Sequence, residues 1–155
     1  MQDIHHTTDT WMTRDFASLS PALLYAILRL RQAVFVVEQN CVYQDLDNLD
    51  QCGDHLFLLR DDEPIAYQRC LPPGSAFAES SIGRIIVSPS ARHEGLGSRL
   101  VQRGIQHNRG RWPDSPIRIG AQAHLRDFYG ALGFRVSGDL YLEDGIEHIH
   151  MLLSA

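Results

Sequence analysis

The segment that most constrains this chain of 155 residues runs from residue 82 to residue 107. It begins with a β-branched run, Ile82-Gly83-Arg84-Ile85-Ile86-Val87, suited to a strand buried on both faces. Ser88-Pro89-Ser90-Ala91 breaks that run, and Arg92-His93-Glu94-Gly95-Leu96-Gly97-Ser98 then opens a helix extending through about His107. Leu96, Leu100, Val101 and Ile105 recur on one side of the helix and give it a core-facing stripe. The first turn of a helix leaves backbone N–H groups unpaired, and the helix dipole makes that end partly positive. Such an end binds phosphate oxygens. Gly95 and Gly97 remove Cβ atoms that would hold a pyrophosphate away from the backbone, and Arg92 adds a charge for the same phosphates. The plainer reading is a helix that merely begins with two glycines.

Competing glycine motifs fit less well. A P-loop requires a lysine followed by Ser or Thr, and the chain has no lysine anywhere. A Rossmann fingerprint requires a third glycine three residues beyond Gly97, where Leu100 stands.

Around this segment the pattern alternates between strand and helix. Thr8 to Phe16 reads as a first strand, and Ser20-Pro21 as a helix start leading through Leu23, Leu24, Ile27, Leu28 and Leu30 into Ala33-Val34-Phe35-Val36-Val37. Residues 55–59 and 65–71 form a hairpin around the turn Asp61-Asp62-Glu63-Pro64. Residues 117–120 make a further strand, and Leu125, Phe128 and Leu132 a short helix ended by Gly133. Residues 136–142 and 149–153 read as two strands joined through Asp144-Gly145. The order β-α-β-β-β-α-β-α-β-β implies a mixed α/β sheet.

Composition narrows the function classes. The apolar fraction of 44% and charged fraction of 21% belong to an ordinary globular domain, with residues 1–10 polar and expected to be loose. The net charge of −5, with every basic residue an arginine and those scattered, argues against a nucleic-acid partner. No run of apolar residues is long enough for a membrane span, and the N-terminus lacks a secretory pattern, so a cytoplasmic protein is expected. Cys41, Cys52 and Cys70 lack metal-ligand spacing and read as reduced thiols.

Arg92-x-x-Gly95-x-Gly97, after a hydrophobic strand and before a helix, resembles the acyl-CoA signature of the GNAT N-acetyltransferase superfamily. Phe128-Tyr129-Gly130-Ala131-Leu132-Gly133-Phe134 resembles a second segment of that family, in the right order. Residues 34–41, 83–87, 120–125 and 143–149 are similar to the ElaA-like subfamily of bacterial GNAT proteins. The resemblance implies a single GNAT domain over residues 16–154, with residues 1–15 as an N-terminal segment supplying the first strand. It implies a mostly antiparallel sheet of about seven strands, flanked by helices, with a V-shaped splay between strands 4 and 5. Acetyl-CoA would be the acyl donor and an amine of a small molecule or peptide the acceptor, with no metal and with room for a homodimer. The pantetheine arm would lie against Ile85, Ile86, Val87 and Gln122, and the phosphates on Arg92, His93, Glu94, Gly95, Leu96, Gly97 and Ser98. Phe128 and Tyr129 would complete that site.

Direct transfer of an acyl group to an amine needs a proton acceptor and a proton donor, and no covalent nucleophile. Tyr129 matches the family's tyrosine that protonates the departing thiolate; its other reading is an aromatic packed in the core. Glu38 ends an apolar run, where partial burial would raise its proton affinity and suit it as the base. A structural carboxylate is the alternative there. His124 is a second candidate base. The acidic stretch Asp45-Leu46-Asp47-Asn48-Leu49-Asp50 lacks the pattern of a calcium loop and reads as solvated surface, or else as a negative rim that draws a cationic substrate. His148 and His150 share a strand face but lack a third metal ligand.

Overall fold

The computed structural model describes residues 7–155; the first six residues, part of the polar segment expected to be loose, lie outside the described residues. The chain begins with β1 (Asp9–Asp15) and α1 (Pro21–Arg31). Ser20 caps α1, its hydroxyl accepting from the Leu23 N–H at 3.1 Å. The chain then widens into a π-helical segment, Gln32–Glu38, that carries Val34 into the core and leaves Val37 71% exposed. The expected continuation at ordinary helical spacing therefore gives way to a wider turn.

A hairpin follows, β2 (Asp54–Arg60) and β3 (Glu63–Leu71), and then β4 (Ser80–Val87). The first hairpin turn is tighter than the expected four residues. Asp61 and Asp62 both take positive φ, +50° and +66°, so two residues reverse the chain and Pro64 already belongs to β3. Next come α2 (Leu96–Arg111), β5 (Ile117–Gln122) and α3 (Arg126–Ala131). Three strands close the chain: β6 (Arg135–Val136), β7 (Tyr141–Glu143) and β8 (Ile146–Leu153). The single strand expected over residues 136–142 is broken in two, because Gly138 at φ +128° turns the chain out of the extended region.

Among the described residues the sheet has eight strands in the order β1-β2-β3-β4-β5-β8-β6, with β7 also paired to β8. Every pairing is antiparallel except β4 with β5. The segment before residue 16 supplies the edge strand β1, paired along its length with β2.

Alternation along the strands divides the core between two faces. Leu56, Leu58 and Ala66 pack with Leu96 and Leu100 of α2, while Phe57, Tyr67 and Ile86 pack with Ile27 and Val34 on the other face. Val101 and Ile105 of α2 join Tyr129, Ile117, Ile119 and Met151 in a third cluster. The apolar stripe of α2 thus ties together the two halves of a sheet that comes apart in the middle.

Candidate active site

β4 and β5 pair only at Ser80 with Ile117 and Ser81 with Arg118. Beyond those residues the strands diverge, which is the splay expected between the fourth and fifth strands. Among the described residues their facing edges make no further ladder with each other, which leaves backbone N–H and C=O groups turned toward the gap. Between them lies a cleft of about 980 Å³.

A β-bulge shapes the β4 wall. Gly83 pairs with Arg69 and Ile86 with Tyr67, so Arg84 and Ile85 together oppose the single residue Gln68. Arg84 takes φ +52°, a strained value for a side chain of its kind. The bulge aims Arg84 at the acidic loop. Arg84 Nε lies 2.7 Å from Asp45 Oδ1, and Nη2 donates to the Asp45 carbonyl at 2.9 Å.

That loop is neither a solvated surface nor a negative rim. Asp45 and Asp50 are buried, and three arginines from α1, β3 and β4 converge on them and Asp47. Arg31, fully buried, donates to Asp45 at 2.9 Å and to Asp50 at 2.7 Å. Arg69 donates to both oxygens of Asp47 at 2.7 Å and to Asp50 at 2.8 Å. Three carboxylates meet three guanidiniums, so the cluster has no net charge to offer a cation. Buried charges persist only when paired in this way.

The expected cofactor residues divide into two groups. Ile85, Ile86, Val87, Arg92, Gln122 and Tyr129 line the cleft, together with Glu38 and His124. His93 to Ser98 lie outside the lining, in the turn that opens α2. Gly95 caps α2 at φ +73°, a conformation that favours glycine. Gly97 lies under Phe128, whose ring Cζ would stand 3.7 Å from a Cβ there. The Leu96 side chain is in the core, so only its backbone N–H is available at the helix end. Glu94 pairs with Arg60 at 3.1 Å.

Arg92 joins the two groups. Its Nε donates to the Val87 carbonyl at 3.1 Å, and its two terminal nitrogens grip both oxygens of Glu38, one at 2.9 Å. This arrangement reverses the expected electrostatics of Glu38. The hydrogen bonds from Arg92 lower its carboxyl pKa, whereas partial burial had been expected to raise it. Glu38 is bound to Arg92 as a carboxylate of low proton affinity.

Tyr129 is 6% exposed, with Phe128 and Phe134 edge-on at 5.0 and 6.1 Å. Burial pushes its phenol up to about 12, so it keeps its proton through neutral pH. Among the described residues no hydrogen bond engages its hydroxyl. His124 stands in a short 3-10 turn after β5. All three thiols are free; Cys41 donates to the Asp144 carbonyl at 3.4 Å, and burial raises the thiol pKa of Cys70.

The far end of the cleft is built by side chains that spacing alone presented only as paired histidines. Tyr141, Glu143, His148 and His150 line it, with Phe77 edge-on to His150 at 5.2 Å. Tyr141 crosses to β5, where its hydroxyl would stand 3.0 Å from a Cβ at Gly120. Among the described residues no group of three or more His, Cys, Asp or Glu side chains is arranged to hold a metal.

The family described as Acetyltransferase (GNAT) domain has a profile that matches residues 29–155, a span that holds β4, α2, the splayed cleft and Tyr129. The chain belongs to the GNAT family. It is an ElaA-like acyltransferase. Protein ElaA of Escherichia coli strain K12 is 44% identical over 97% of this chain and 93% of its own length. The crystal structure of E. coli ElaA superposes with a TM-score of 0.89 at 41% identity, over 95% of this chain and all of that one (100%). An acyl-CoA N-acyltransferase from Pseudomonas aeruginosa superposes with a TM-score of 0.91 at 42% identity, covering 95% and 100% of the two chains. A GNAT acetyltransferase from Elizabethkingia anophelis solved with acetyl-CoA bound shares the fold, with a TM-score of 0.60 at 16% identity over 95% and 98%.

Among the described residues no helix is long and apolar enough to cross a membrane.

Proposed function

We propose that this GNAT protein transfers an acetyl group from acetyl-CoA to a primary amine of a small molecule or peptide, by direct attack in a ternary complex. The observation that carries the reading is the continuity of the cleft. It runs from Arg92, three residues before the glycine that caps α2, along the edge of β4 to Tyr129.

The residues present fit a coenzyme A thioester. Residues 92–98 offer the backbone N–H groups of a helix start together with the Arg92 guanidinium, a phosphate site. The edges of β4 and β5 that do not pair with each other, at Ile85, Ile86, Val87 and Gln122, supply the amide partners that a pantetheine arm requires, although the Val87 carbonyl already accepts from Arg92. When bound, the thioester supplies an activated acyl carbon and a thiolate leaving group. Tyr129 is the proton donor to that sulfur, and its raised pKa keeps it protonated until the C–S bond breaks. Phe128 seats the loop against α3. Glu38 orients Arg92; its low proton affinity suits it poorly to act as base. His124 lines the same cleft.

The test is release of free coenzyme A from a panel of acyl-CoA donors over a library of amines and peptides, with donor binding measured in parallel by calorimetry. Acetyl-dependent, amine-dependent release is expected. Binding of acetyl-CoA without transfer to any acceptor would instead identify a non-catalytic acyl-CoA-binding module, and a longer acyl chain as the preferred donor would replace acetyl in the reading.

A further inference from the structure

The proton leaving the amine needs an acceptor within the cleft, and one side chain outside the expected catalytic set is arranged to take it. We propose that Nε2 of His148 is the general base; this rests on the acyl transfer proposed above. Alternation along β8 sends Ile149, Met151 and Leu153 into the core and turns His148 and His150 to the opposite face. His148 lines the cleft and pairs across the ladder with Gln122 at the end of β5, next to the turn that carries His124 and leads to Tyr129.

The ring's tautomer follows from its one hydrogen bond. Nδ1 lies 2.8 Å from the carbonyl oxygen of Ile146. A carbonyl only accepts, so Nδ1 carries the hydrogen and the neutral ring keeps its lone pair on Nε2. Among the described residues nothing donates to Nε2. Glu143 Oε2 stands 3.6 Å from it, beyond hydrogen-bonding distance. Tyr141 lies beside the ring at 5.7 Å between centroids.

Neither expected base is held in this way. Glu38 is gripped by Arg92, and among the described residues no hydrogen bond fixes the ring of His124. Among the described residues the titratable groups against His148 are Glu143 and Tyr141 of β7 and His150 on its own strand, and Cys41, Asp144, His124 and Glu38 line the same cleft. Beyond His150 stand Arg118, 3.5 Å from its Nδ1, and Glu79, paired with Arg118 at 2.9 Å.

The step balances without a further reactant. The neutral amine's lone pair forms the N–C bond, the C–S bond breaks with its electron pair on sulfur, and the amine proton passes to Nε2. Tyr129 gives its proton to sulfur, and the imidazolium proton returns through solvent to the tyrosinate.

The deciding variant is His148→Asn, whose amide nitrogen can still donate to the Ile146 carbonyl but which has no atom in place of Nε2. With the best amine found in the panel, kcat/KM should fall by roughly 10²-fold or more. The acidic limb of its pH profile should disappear, while acetyl-CoA binding measured by calorimetry is kept. Independently of any rate, long-range 1H–15N spectra of the wild-type protein should show an Nδ1–H tautomer for the resonance that the variant lacks. A variant that keeps wild-type kcat/KM and its acidic limb overturns the proposal alone, and so does an Nε2–H tautomer. If the variant loses acetyl-CoA binding as well, the tautomer decides. A wild type that binds acetyl-CoA and acetylates no amine overturns the enzymatic reading, and this proposal with it.

Discussion

Replacing Gly104 with alanine sets two known effects against each other, and the structure decides the sign. Gly104 is buried in the middle of α2, where alanine is favoured by about 1 kcal/mol through helix propensity. A Cβ there would stand 2.4 Å from Gln68 Nε2, 2.9 Å from its Cδ and 3.0 Å from its Oε1. Gln68 cannot swing aside, because it is fully buried and its Nε2 donates to the Leu100 carbonyl at 2.7 Å. Breaking that bond and stranding the amide costs about 1–3 kcal/mol. Overfilling a packed core costs about 1–3 kcal/mol more. After the propensity gain, Gly104→Ala should be destabilised by about 3 kcal/mol, a fall in Tm of roughly 6–12 °C for a domain of this size.

Circular dichroism on heating and urea titration both measure it. An unchanged or raised Tm would refute the reasoning. Adding Gln68→Ala should relieve the clash, so the double variant should be more stable than the sum of the two losses by at least about 1 kcal/mol. Gln68 is also the residue opposite the β4 bulge, so Gly104→Ala should weaken acetyl-CoA binding along with the fold.

Four further outcomes are expected. Tyr129→Phe should lower kcat by roughly 10²-fold or more with little change in acetyl-CoA affinity, as read by steady-state kinetics and calorimetry. Glu38→Gln releases Arg92, so the KM for the acyl donor should move while kcat changes less than roughly tenfold; a loss as large as the 10²–10⁴ typical of a base would restore Glu38 to that role. Arg31→Met strands two buried aspartates that each retain a second arginine, so the loss should fall near the lower end of the roughly 3–5 kcal/mol for a broken buried pair, measured by urea unfolding. Acid should also destabilise the fold. Burial pushes the Asp47 carboxyl up, but Arg69 outweighs it and holds it at about 2, and hydrogen bonds from Arg118 hold Glu79 at about 2. Both lie below their ordinary values of 3.8 and 4.5, so their stabilisation is present above about pH 4.5 and is lost as pH falls toward 2, which a pH series of Tm values tests.

What could be read from the chain was what is local in it. The strand, glycine turn and stripe of residues 82–107 depend on neighbours within a few positions, and the structure forms them nearly where expected, with α2 running on to Arg111. Asp144-Gly145 likewise turns the last hairpin at φ +50° and +77°. The acidic loop was misread for the opposite reason. Aspartates without nearby apolar periodicity look solvated, and their partners, Arg31, Arg69 and Arg84, stand from 14 to 39 residues away. The pairing of Glu38 with Arg92 spans 54 residues, and no local rule announces it or the fall in proton affinity it causes. His148 was visible as half of an alternating pair. What gives it chemical meaning is the Ile146 carbonyl, a backbone atom that no side-chain pattern records. The bulge in β4 escaped notice because the register of β3 against β4 is set by the whole hairpin and by α2 beneath it.

The arginine–aspartate cluster has a consequence for the durability of the catalyst. Arg69 and Arg84 stand in the lining of a cleft proposed to hold a reactive thioester. A lysine in either place could pair with the same aspartates, but whenever it shed a proton it would become a nucleophile facing the acyl donor. A guanidinium, which keeps its proton at any physiological pH, has no such moment. The sequence has no lysine, so the cations that hold these aspartates are all guanidiniums, which a thioester in the proposed site would not acylate.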